Sequence, residues 1–298
     1  MTPLVYTWPG YEALGAALVA ALSATAGGIV VRRFPDGETY VRFLTPPAGH
    51  SVILACGLDR PDDKLSGLQF AAATARELGA ARVGLVTPYL AYMRQDTRFN
   101  DGEAVASRAF AGWLSWIVDW LATVDPHLHR HAALAEIYPI PAATASSTPA
   151  IARWISAHVE NPIVIGPDAE SRQWAAAVAH GARCPFLVLE KTRRGDREVD
   201  IAIADLETAA GHTPVLVDDI ISTARTMAAA VKHLRAAGSA PPVCIGVHAL
   251  FCADALSCLI DAGVREVVTC NTVAHPTNAI DVLPQLAGSV RDLLDSLR

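Results

Sequence analysis

An α/β fold with two domains and mainly parallel central sheets is predicted by three features of the sequence. Short apolar runs alternate with segments of helical period along the whole chain, which is typical of parallel sheets covered by helices. The length of 298 residues suits two domains of roughly 150 residues each. A stretch rich in Pro, Ala, Ser and Thr at residues 139–149 divides the chain near its middle. We therefore predict an N-terminal domain over residues 1–143 and a C-terminal domain over residues 144–298.

The predicted strands are short runs of β-branched and other apolar residues. They cover residues 4–7, 29–34, 52–56, 83–87, 120–124, 163–166, 186–190, 199–204, 215–217, 243–248 and 266–269. Helices are expected between many of them, such as residues 65–78, which Gly79 closes as a C-terminal cap. Trp113, Trp116 and Trp120 have the spacing of one helical face, and we interpret them as core or subunit-contact residues.

The composition excludes several classes of protein. Hydrophobic residues make up 52% of the chain and charged residues 18%, which excludes a disordered protein and is ample for a large core. The formal net charge is −6, so there is no overall positive field that would attract a nucleic acid. A local cluster of cations must therefore hold any anionic substrate.

One uncharged segment, Leu14–Val31, has to be distinguished from a membrane span. Leu14, Leu18 and Leu22 form a single stripe of an amphipathic helix, and a Gly-Gly pair then interrupts the run. The segment is too short and interrupted to cross a bilayer, and no Lys or Arg precedes it as in a signal peptide. We expect no membrane association, a cytoplasmic location and reduced cysteines.

The most informative motif is the segment 214–227, PVLVDDIISTARTM. An apolar strand ends in Asp218 and Asp219, and hydroxyl-bearing residues follow before an amphipathic helix begins. Free amides and the helix dipole make such a start an anion site. The adjacent acids suit sugar hydroxyls or a magnesium-bound ligand, whereas the simpler alternative is a capped helix after an acidic turn. This segment resembles the phosphoribosyl-diphosphate loop of the type I phosphoribosyltransferase fold, which implies doubly wound domains.

Three further motifs resemble those of the ribose-phosphate diphosphokinases, also called phosphoribosyl-diphosphate synthetases. They are Arg33–Tyr40 (RFPDGETY), Thr87–Asp96 (TPYLAYMRQD), which Arg98–Glu103 (RFNDGE) continues, and Val188–Arg193 (VLEKTR). The matches occur in the order found in that family and span most of the chain. The resemblance implies two similar domains of the type I phosphoribosyltransferase fold.

The resemblance also implies an activity, a cofactor and partners. The family transfers the diphosphoryl group of Mg-ATP to the 1-hydroxyl of ribose 5-phosphate, giving phosphoribosyl diphosphate and AMP. It uses Mg²⁺ and forms homo-oligomers in which one subunit contributes to the ATP site of its neighbour. A phosphoribosyltransferase and a non-catalytic regulatory relative of the family remain alternatives.

Roles of individual residues follow from the matching positions. The expected ATP-binding residues are Phe34, Asp36, Glu38, Arg94, Gln95 and Asp96. The expected magnesium–ATP ligands are His127 and Asp168, and the expected catalytic residues are Lys191 and Arg193. Ribose 5-phosphate is expected to bind at Asp218, Asp219, Ser222, Thr223, Ala224, Arg225 and Thr226. The chemistry suits these roles, since an aromatic ring stacks on adenine and guanidinium groups match phosphate oxygens.

One feature departs from the family pattern. Ala224 and Arg225 stand where the family loop has two glycines, which let backbone amides approach a phosphate closely. We expect the Arg225 side chain to swing aside or bind the phosphate, because the hydroxyls and both aspartates are retained; the alternative is that it blocks the pocket.

His127, His129 and His131 share one face of an extended segment, which suggests structural zinc as an alternative, although no obvious fourth ligand accompanies them.

Overall fold

The computed structural model describes residues 2–189, 192–194, 198–200 and 211–297. Its contacts divide the chain into two compact units, one formed by Met1–Ser146 with Leu283–Arg298 and the other by Ser147–Val282. The boundary at residues 143 and 144 stays a prediction. The C-terminal helix follows the second unit in sequence but groups with the first.

The first unit is built on a six-stranded sheet whose strands are all parallel. In chain order its strands are β1 (Leu4–Thr7), β2 (Thr25–Gly27), β5 (Ser51–Ala55), β6 (Arg82–Val86), β7 (Trp120–Val124) and β8 (Ala142–Ala145). The spatial order is β2-β1-β5-β6-β7-β8. Residues of β5 such as Val52 and Leu54 are fully buried, as expected where helices cover both faces of a parallel sheet.

The helices of the first unit are α1 (Glu12–Leu22), α2 (Asp62–Glu77), α3 (Ala106–Ile117) and the C-terminal α8 (Leu283–Ser296). Helix α8 packs against α1 and β8, and its buried apolar stripe includes Leu286 and Val290. This packing explains why the end of the chain belongs to the first unit.

A separate antiparallel hairpin also belongs to the first unit, formed by β3 (Ile29–Arg33) and β4 (Thr39–Phe43). Only the first of these strands was expected from the sequence. The tryptophan interpretation was wrong in one respect, since Trp120 begins β7 and is fully buried rather than continuing the helical face. Trp116, on α3, is 72% exposed.

The second unit is built on another six-stranded parallel sheet. Its strands are β9 (Pro162–Gly166), β10 (Phe186–Val188), β13 (Thr213–Ile221), β14 (Val243–Ala249), β15 (Glu266–Cys270) and β16 (Asn278–Ile280), in the spatial order β10-β9-β13-β14-β15-β16. The helices are α4 (Thr148–His158), α5 (Arg172–Ala182), α6 (Arg225–Ala236) and α7 (Ala255–Ala262). Met227, Val231 and Leu234 form the buried face of α6, which agrees with the amphipathic helix predicted at the end of the segment 214–227.

A two-stranded antiparallel sheet, formed by β11 (Thr192–Arg194) and β12 (Glu198–Asp200), completes the described strands. The predicted α/β class with mainly parallel sheets is confirmed. Within the described ranges, no helix is both long enough and apolar enough to cross a membrane.

Candidate active site

Three carboxylates of the second unit meet at the C-terminal edge of its sheet. Strands β9 and β13 are parallel neighbours in which Ile165 pairs with Leu216. Asp168 follows the end of β9, and Asp218 and Asp219 lie near the end of β13, so they reach the same edge. Ligands of open parallel sheets bind at this edge.

Asp168 is held in place by its own turn. Its carboxylate accepts from the Ser171 amide at 3.2 Å, and the Ser171 hydroxyl donates to the Asp168 carbonyl at 2.6 Å. The carboxylate bond, together with the Asp168 amide, which donates to the Ser171 hydroxyl at 3.5 Å, forms a capping box at the short 3₁₀ helix Ala169–Ser171. The turn therefore fixes the position of a carboxylate at the sheet edge.

The pKa of Asp218 is raised well above its ordinary value. Burial is the largest cause, followed by the negative charges of Asp219 and then Asp168. The Asp219 amide donates to Oδ1 of Asp218 at 3.0 Å, which opposes the shift in part. Three acids this close together repel one another, and a cation or donated hydroxyls would relieve that repulsion.

The segment after β13 forms a tight turn into α6. Ala224, the residue before the helix, has φ of 58° and ψ of 5° and is buried. This left-handed conformation favours glycine, which is the family residue here. Ala224 has no side-chain oxygen with which to cap the first amides of α6. Thr223, Arg225 and Thr226 are exposed and Ser222 is half-buried, so hydroxyls surround an amide-rich helix start.

The loop after β14 supports this turn. The Phe251 amide donates to the Ile221 carbonyl at 3.0 Å, and the Cys252 amide donates to the Ser222 carbonyl at 2.9 Å. The Cys252 thiol lies 3.3 Å from the Ser222 hydroxyl, and the Phe251 ring stacks on His275 with centroids 4.3 Å apart. The sequence motifs did not predict these contacts, because no motif marks the loop after β14 as a partner of the Ser222 turn.

The hairpin of the first unit presents Phe34, Asp36 and Glu38 on its loop. The Phe34 amide donates to the Glu38 carbonyl at 2.8 Å, and the Gly37 amide donates to the Phe34 carbonyl at 2.9 Å. Gly37 has φ of 95°, which only glycine adopts readily. The Asp36 carboxylate accepts from the Glu38 amide at 3.2 Å. The loop is thus ordered by its own bonds while all three side chains stay exposed.

The Phe34 ring is 39% exposed, and two other side chains of the hairpin contact it. The guanidinium of Arg32 lies 4.5 Å from the centroid of the Phe34 ring and 4.4 Å from that of Tyr40. Phe34 and Tyr40 also meet edge to face with centroids 5.8 Å apart. A cation between two rings restrains Phe34, so its remaining surface is available for stacking.

The segment Arg94–Asp96 lies just before α3, to which it is fastened. The Ser107 amide donates to the Gln95 carbonyl at 3.2 Å. Asp96 forms an ion pair with Arg130 at 3.1 Å, and its side chain is only 7% exposed. Arg94 is exposed. Arg94 is therefore accessible, whereas Asp96 is paired with Arg130, a partner that the sequence motifs did not predict.

The histidine segment lies in the first unit, after β7. The rings of His127 and His129 lie 3.8 Å apart at an angle of 69°. His131 instead pairs with Glu136, at 3.1 Å between Nδ1 and Oε2.

Comparisons with known proteins identify the family. A model described as the N-terminal domain of ribose phosphate pyrophosphokinase matches residues 5–117, and a phosphoribosyl transferase domain model matches residues 135–284. The ribose-phosphate pyrophosphokinase of Methanopyrus kandleri is 35% identical over 283 residues, 94% of this chain and 96% of the relative. This chain belongs to the ribose-phosphate pyrophosphokinase family. The enzyme of that name from Sulfolobus acidocaldarius is 34% identical and covers 84% of this chain and 86% of its own.

The fold agrees with this membership of the pyrophosphokinase family. The crystal structure of phosphoribosylpyrophosphate synthetase from Mycobacterium smegmatis superimposes with a TM-score of 0.85, covering 99% of this chain and all of that one, at 23% identity. The predicted family and the predicted pair of phosphoribosyltransferase-type domains are confirmed. The two departures from the family loop, Ala224 and Arg225, therefore occur within a true family member.

Of the two expected catalytic residues of this pyrophosphokinase, the structure describes only Arg193. Lys191 lies outside the described residues. The backbone of Arg193 lies in β11, opposite Val199 of β12. The roles of both residues stay predictions.

Proposed function

We infer that this protein is a ribose-phosphate diphosphokinase, which transfers the β,γ-diphosphoryl group of ATP to the 1-hydroxyl of ribose 5-phosphate and releases AMP. The observation that carries this inference is the carboxylate cluster beside the amide-rich start of α6, in a chain of the pyrophosphokinase family. Reactions of this kind depend on positioning and on neutralisation of charge rather than on a covalent intermediate with the enzyme.

The sugar phosphate is proposed to bind in the second unit. The residues around the turn, Ser222 to Thr226, would hold the 5-phosphate through hydroxyls and the first amides of α6. Asp218 and Asp219 would accept hydrogen bonds from ribose hydroxyls. The left-handed backbone of Ala224 supports this assignment, since the turn keeps the conformation that a glycine would adopt.

ATP is proposed to bind through the two motifs of the first unit. The exposed face of Phe34 would stack on adenine, and Asp36 and Glu38 would accept from its amine or from ribose hydroxyls. Arg94 would bind phosphate oxygens and Gln95 the base. Asp96 would act indirectly by orienting Arg130, since its carboxylate already pairs with that guanidinium.

Lys191 and Arg193 are proposed as the catalytic residues. Their cations would neutralise the charge that develops on the transferred diphosphoryl group. Charge stabilisation that appears only in the transition state raises kcat.

The donor set of the second unit suits Mg²⁺. Hard cations prefer carboxylate oxygens, and Asp168, Asp218 and Asp219 supply them in a cluster in which burial, followed by the charges of the other two acids, raises the pKa of Asp218. We propose Asp168 as a ligand of the magnesium–ATP complex together with His127, with Asp218 and Asp219 beside the sugar. When bound, the metal would neutralise phosphate charge, while the protein residues orient the 1-hydroxyl toward the β-phosphorus.

A homo-oligomer with a shared ATP site is proposed from the exposed hairpin loop. Mixing two inactive variants tests this sharing. Phe34→Ala chains and Arg94→Ala chains should each be inactive, and co-assembled mixtures should recover up to about a quarter of wild-type activity through sites that receive both intact motifs. No recovery in mixtures proven to be hetero-oligomers would place both motifs in one subunit's site.

A cytoplasmic location is proposed because all six cysteines are free thiols.

One incubation tests the proposed reaction. ATP, Mg²⁺ and ribose 5-phosphate should give AMP and phosphoribosyl diphosphate in equal amounts. Release of ADP would indicate a different transfer. An absence of ATP consumption, with activity restored to a partner enzyme instead, would indicate a regulatory relative, and consumption of phosphoribosyl diphosphate with a base would indicate a phosphoribosyltransferase.

A further inference from the structure

The first turn of helix α2 lies between the two proposed nucleotide motifs of the first unit. We propose that Asp62 and Asp63 are positioning residues: Asp63 holds the Phe34 hairpin and Asp62 holds the Arg94 segment, each in the conformation with which it contributes to a nucleotide site. The proposal rests on the proposed function, because it assigns both motifs to the nucleotide.

Asp63 and its helix neighbour Ser66 fasten the hairpin. Nη2 of Arg33 donates to the carboxylate and to the carbonyl of Asp63, each at 3.1 Å. The hydroxyls of Thr39 and Ser66 lie 3.1 Å apart. Arg33 is the last residue of β3 and Thr39 the first of β4. Both strands are therefore attached to α2 at the points where they enter and leave the loop that carries Phe34.

The helix and the hairpin also pack closely. A Cβ atom at Gly67 of α2 would lie 2.9 Å from the Trp8 ring and 3.4 Å from the Thr39 methyl group. The glycine thus makes room for the Trp8 ring, and β4 lies within van der Waals contact of the helix one turn after Asp63. This contact fixes the separation of the two elements, and the polar contacts fix their alignment.

Asp62 fastens the second motif. The Tyr92 hydroxyl donates to the Asp62 carboxylate, and the Tyr92 ring lies on Phe110 with centroids 4.8 Å apart. Tyr92 has φ of 63°, a left-handed conformation that a bulky residue adopts only where its surroundings hold it. Burial and the Asp62 carboxylate raise the pKa of Tyr92 to about 12, so the hydroxyl remains a donor at neutral pH. Arg94 is two residues further along the chain.

These contacts are poorly suited to a purely stabilising role. Arg33 and Asp63 are 50% and 66% exposed, and exposed ion pairs contribute little to folding stability. Acidic residues in a first turn do stabilise a helix through its dipole, but that effect would leave the affinity for ATP unchanged. The contacts lie beside the Phe34 loop and the Arg94 segment. This location favours a role in positioning the groups that bind the nucleotide.

Steady-state kinetics of the full chain separate these two roles. Asp63→Ala should raise the KM for ATP about 2- to 5-fold, as expected for loss of an exposed pair. Tyr92→Phe, which keeps the ring and removes the charge-assisted bond, should raise it about 10-fold. The KM for ribose 5-phosphate should change less than about 2-fold in both. The charge reversal R33D/D63R should recover part of the affinity that either single change removes.

Glu12→Ala is the matched control, because Glu12 lies in the first turn of α1, where it accepts from the Gly10 amide at 2.9 Å. It should lower thermal stability about as much as Asp63→Ala and leave both KM values unchanged. The proposal is overturned if Asp63→Ala and Tyr92→Phe keep a wild-type KM for ATP, or if both substrates are affected equally. Failure of the proposed function would look different, since Phe34→Ala would then also leave the KM for ATP unchanged, or the wild-type chain would form no AMP.

Discussion

The thiol of Cys252 lies 3.3 Å from the hydroxyl of Ser222 at the edge of the second sheet, and the Cys252 amide donates to the Ser222 carbonyl at 2.9 Å. Two neighbouring strands, β13 and β14, bring these residues together although they are 30 positions apart in the chain. The proposed phosphate loop therefore has an exposed thiol directly against it. This arrangement makes the loop accessible to chemical modification.

Alkylation of Cys252 should abolish binding of ribose 5-phosphate. All six cysteines lie in the described part of the chain, and Cys252 is the exposed one, whereas Cys184 and Cys258 are half-buried and the others buried. An iodoacetamide adduct would occupy the space beside Ser222. We expect inactivation in step with modification of one thiol, measured by mass spectrometry, and protection by ribose 5-phosphate. The Cys252→Ser variant should keep near-normal kinetics and resist inactivation; equal loss of activity in that variant would contradict the prediction.

Asp218→Asn should stabilise the protein free of ligands and metal. Burial and the charges of Asp219 and Asp168 raise the pKa of Asp218 in the folded state above the ordinary value of 3.8. The folded state therefore binds this proton more tightly, and the stability it contributes is present below pH 3.8 and is lost as the pH rises through the folded pKa. At pH 7 the amide removes an opposing charge, so the melting temperature should rise, by about 4 °C for each kcal/mol.

The pH dependence of melting checks this sign. The difference between Asp218→Asn and wild type should shrink toward pH 4, and Asp261→Asn, an exposed acid of α7, should show no such trend. Activity of Asp218→Asn should fall strongly despite its stability. A variant less stable than wild type at pH 7 without metal would show that the carboxylate charge is already compensated.

Ala224→Gly should stabilise the second unit slightly without weakening sugar-phosphate binding. An L-residue in the left-handed region costs about 1–2 kcal/mol, and the greater freedom of glycine in the unfolded chain offsets roughly 0.5–1 kcal/mol of this. Denaturant unfolding should therefore show a net gain of up to about 1.5 kcal/mol. Ser23→Gly, at another left-handed position with φ of 48°, is the control. A rise in the KM for ribose 5-phosphate in Ala224→Gly alone would show that the methyl group contributes to binding.

Arg225→Ala distinguishes the possible roles of this exposed first residue of α6. If the guanidinium binds the 5-phosphate, loss of a charge-assisted contact worth roughly 1.5–3 kcal/mol should raise the KM for ribose 5-phosphate about 10- to 100-fold. If the side chain swings aside, the change should be small. A clear gain of activity in Arg225→Gly would show instead that the arginine blocks the site.

Lys191→Ala should lower kcat about 10²- to 10³-fold with little change in either KM, by analogy with the loss of one donor to a developing charge. Arg197→Ala, in the same basic segment, is the control and should retain most of the turnover. Near-normal kcat in Lys191→Ala would show that the basic side chains of this segment are solvent-exposed charges without a catalytic role.

The fold class and the positions of several strands are determined by local sequence. The alternation of apolar runs and helical periods predicted the α/β class, and the positions of β1, β7 and β9 agreed closely, because burial on both faces requires a continuous apolar run. The hairpin was predicted in part. Its Asp-Gly turn and the β-branched residues after it are local signals for β4, but β4 (TYVRF) mixes polar and apolar residues and lacks the apolar run that predicted β3.

Tertiary structure alone determined which of these segments meet. The residue types and the order of the motifs were enough to propose the Ser222 loop, Asp218 and Asp219 as site residues from the sequence. The support of Ser222 by Cys252 depends on the pairing of β13 with β14, and the closeness of Asp168 to Asp218 depends on the pairing of β9 with β13, which are not consecutive strands in the chain. Side chains at the ends of parallel strands become neighbours only when the sheet assembles. No periodicity or spacing within one segment carries that information.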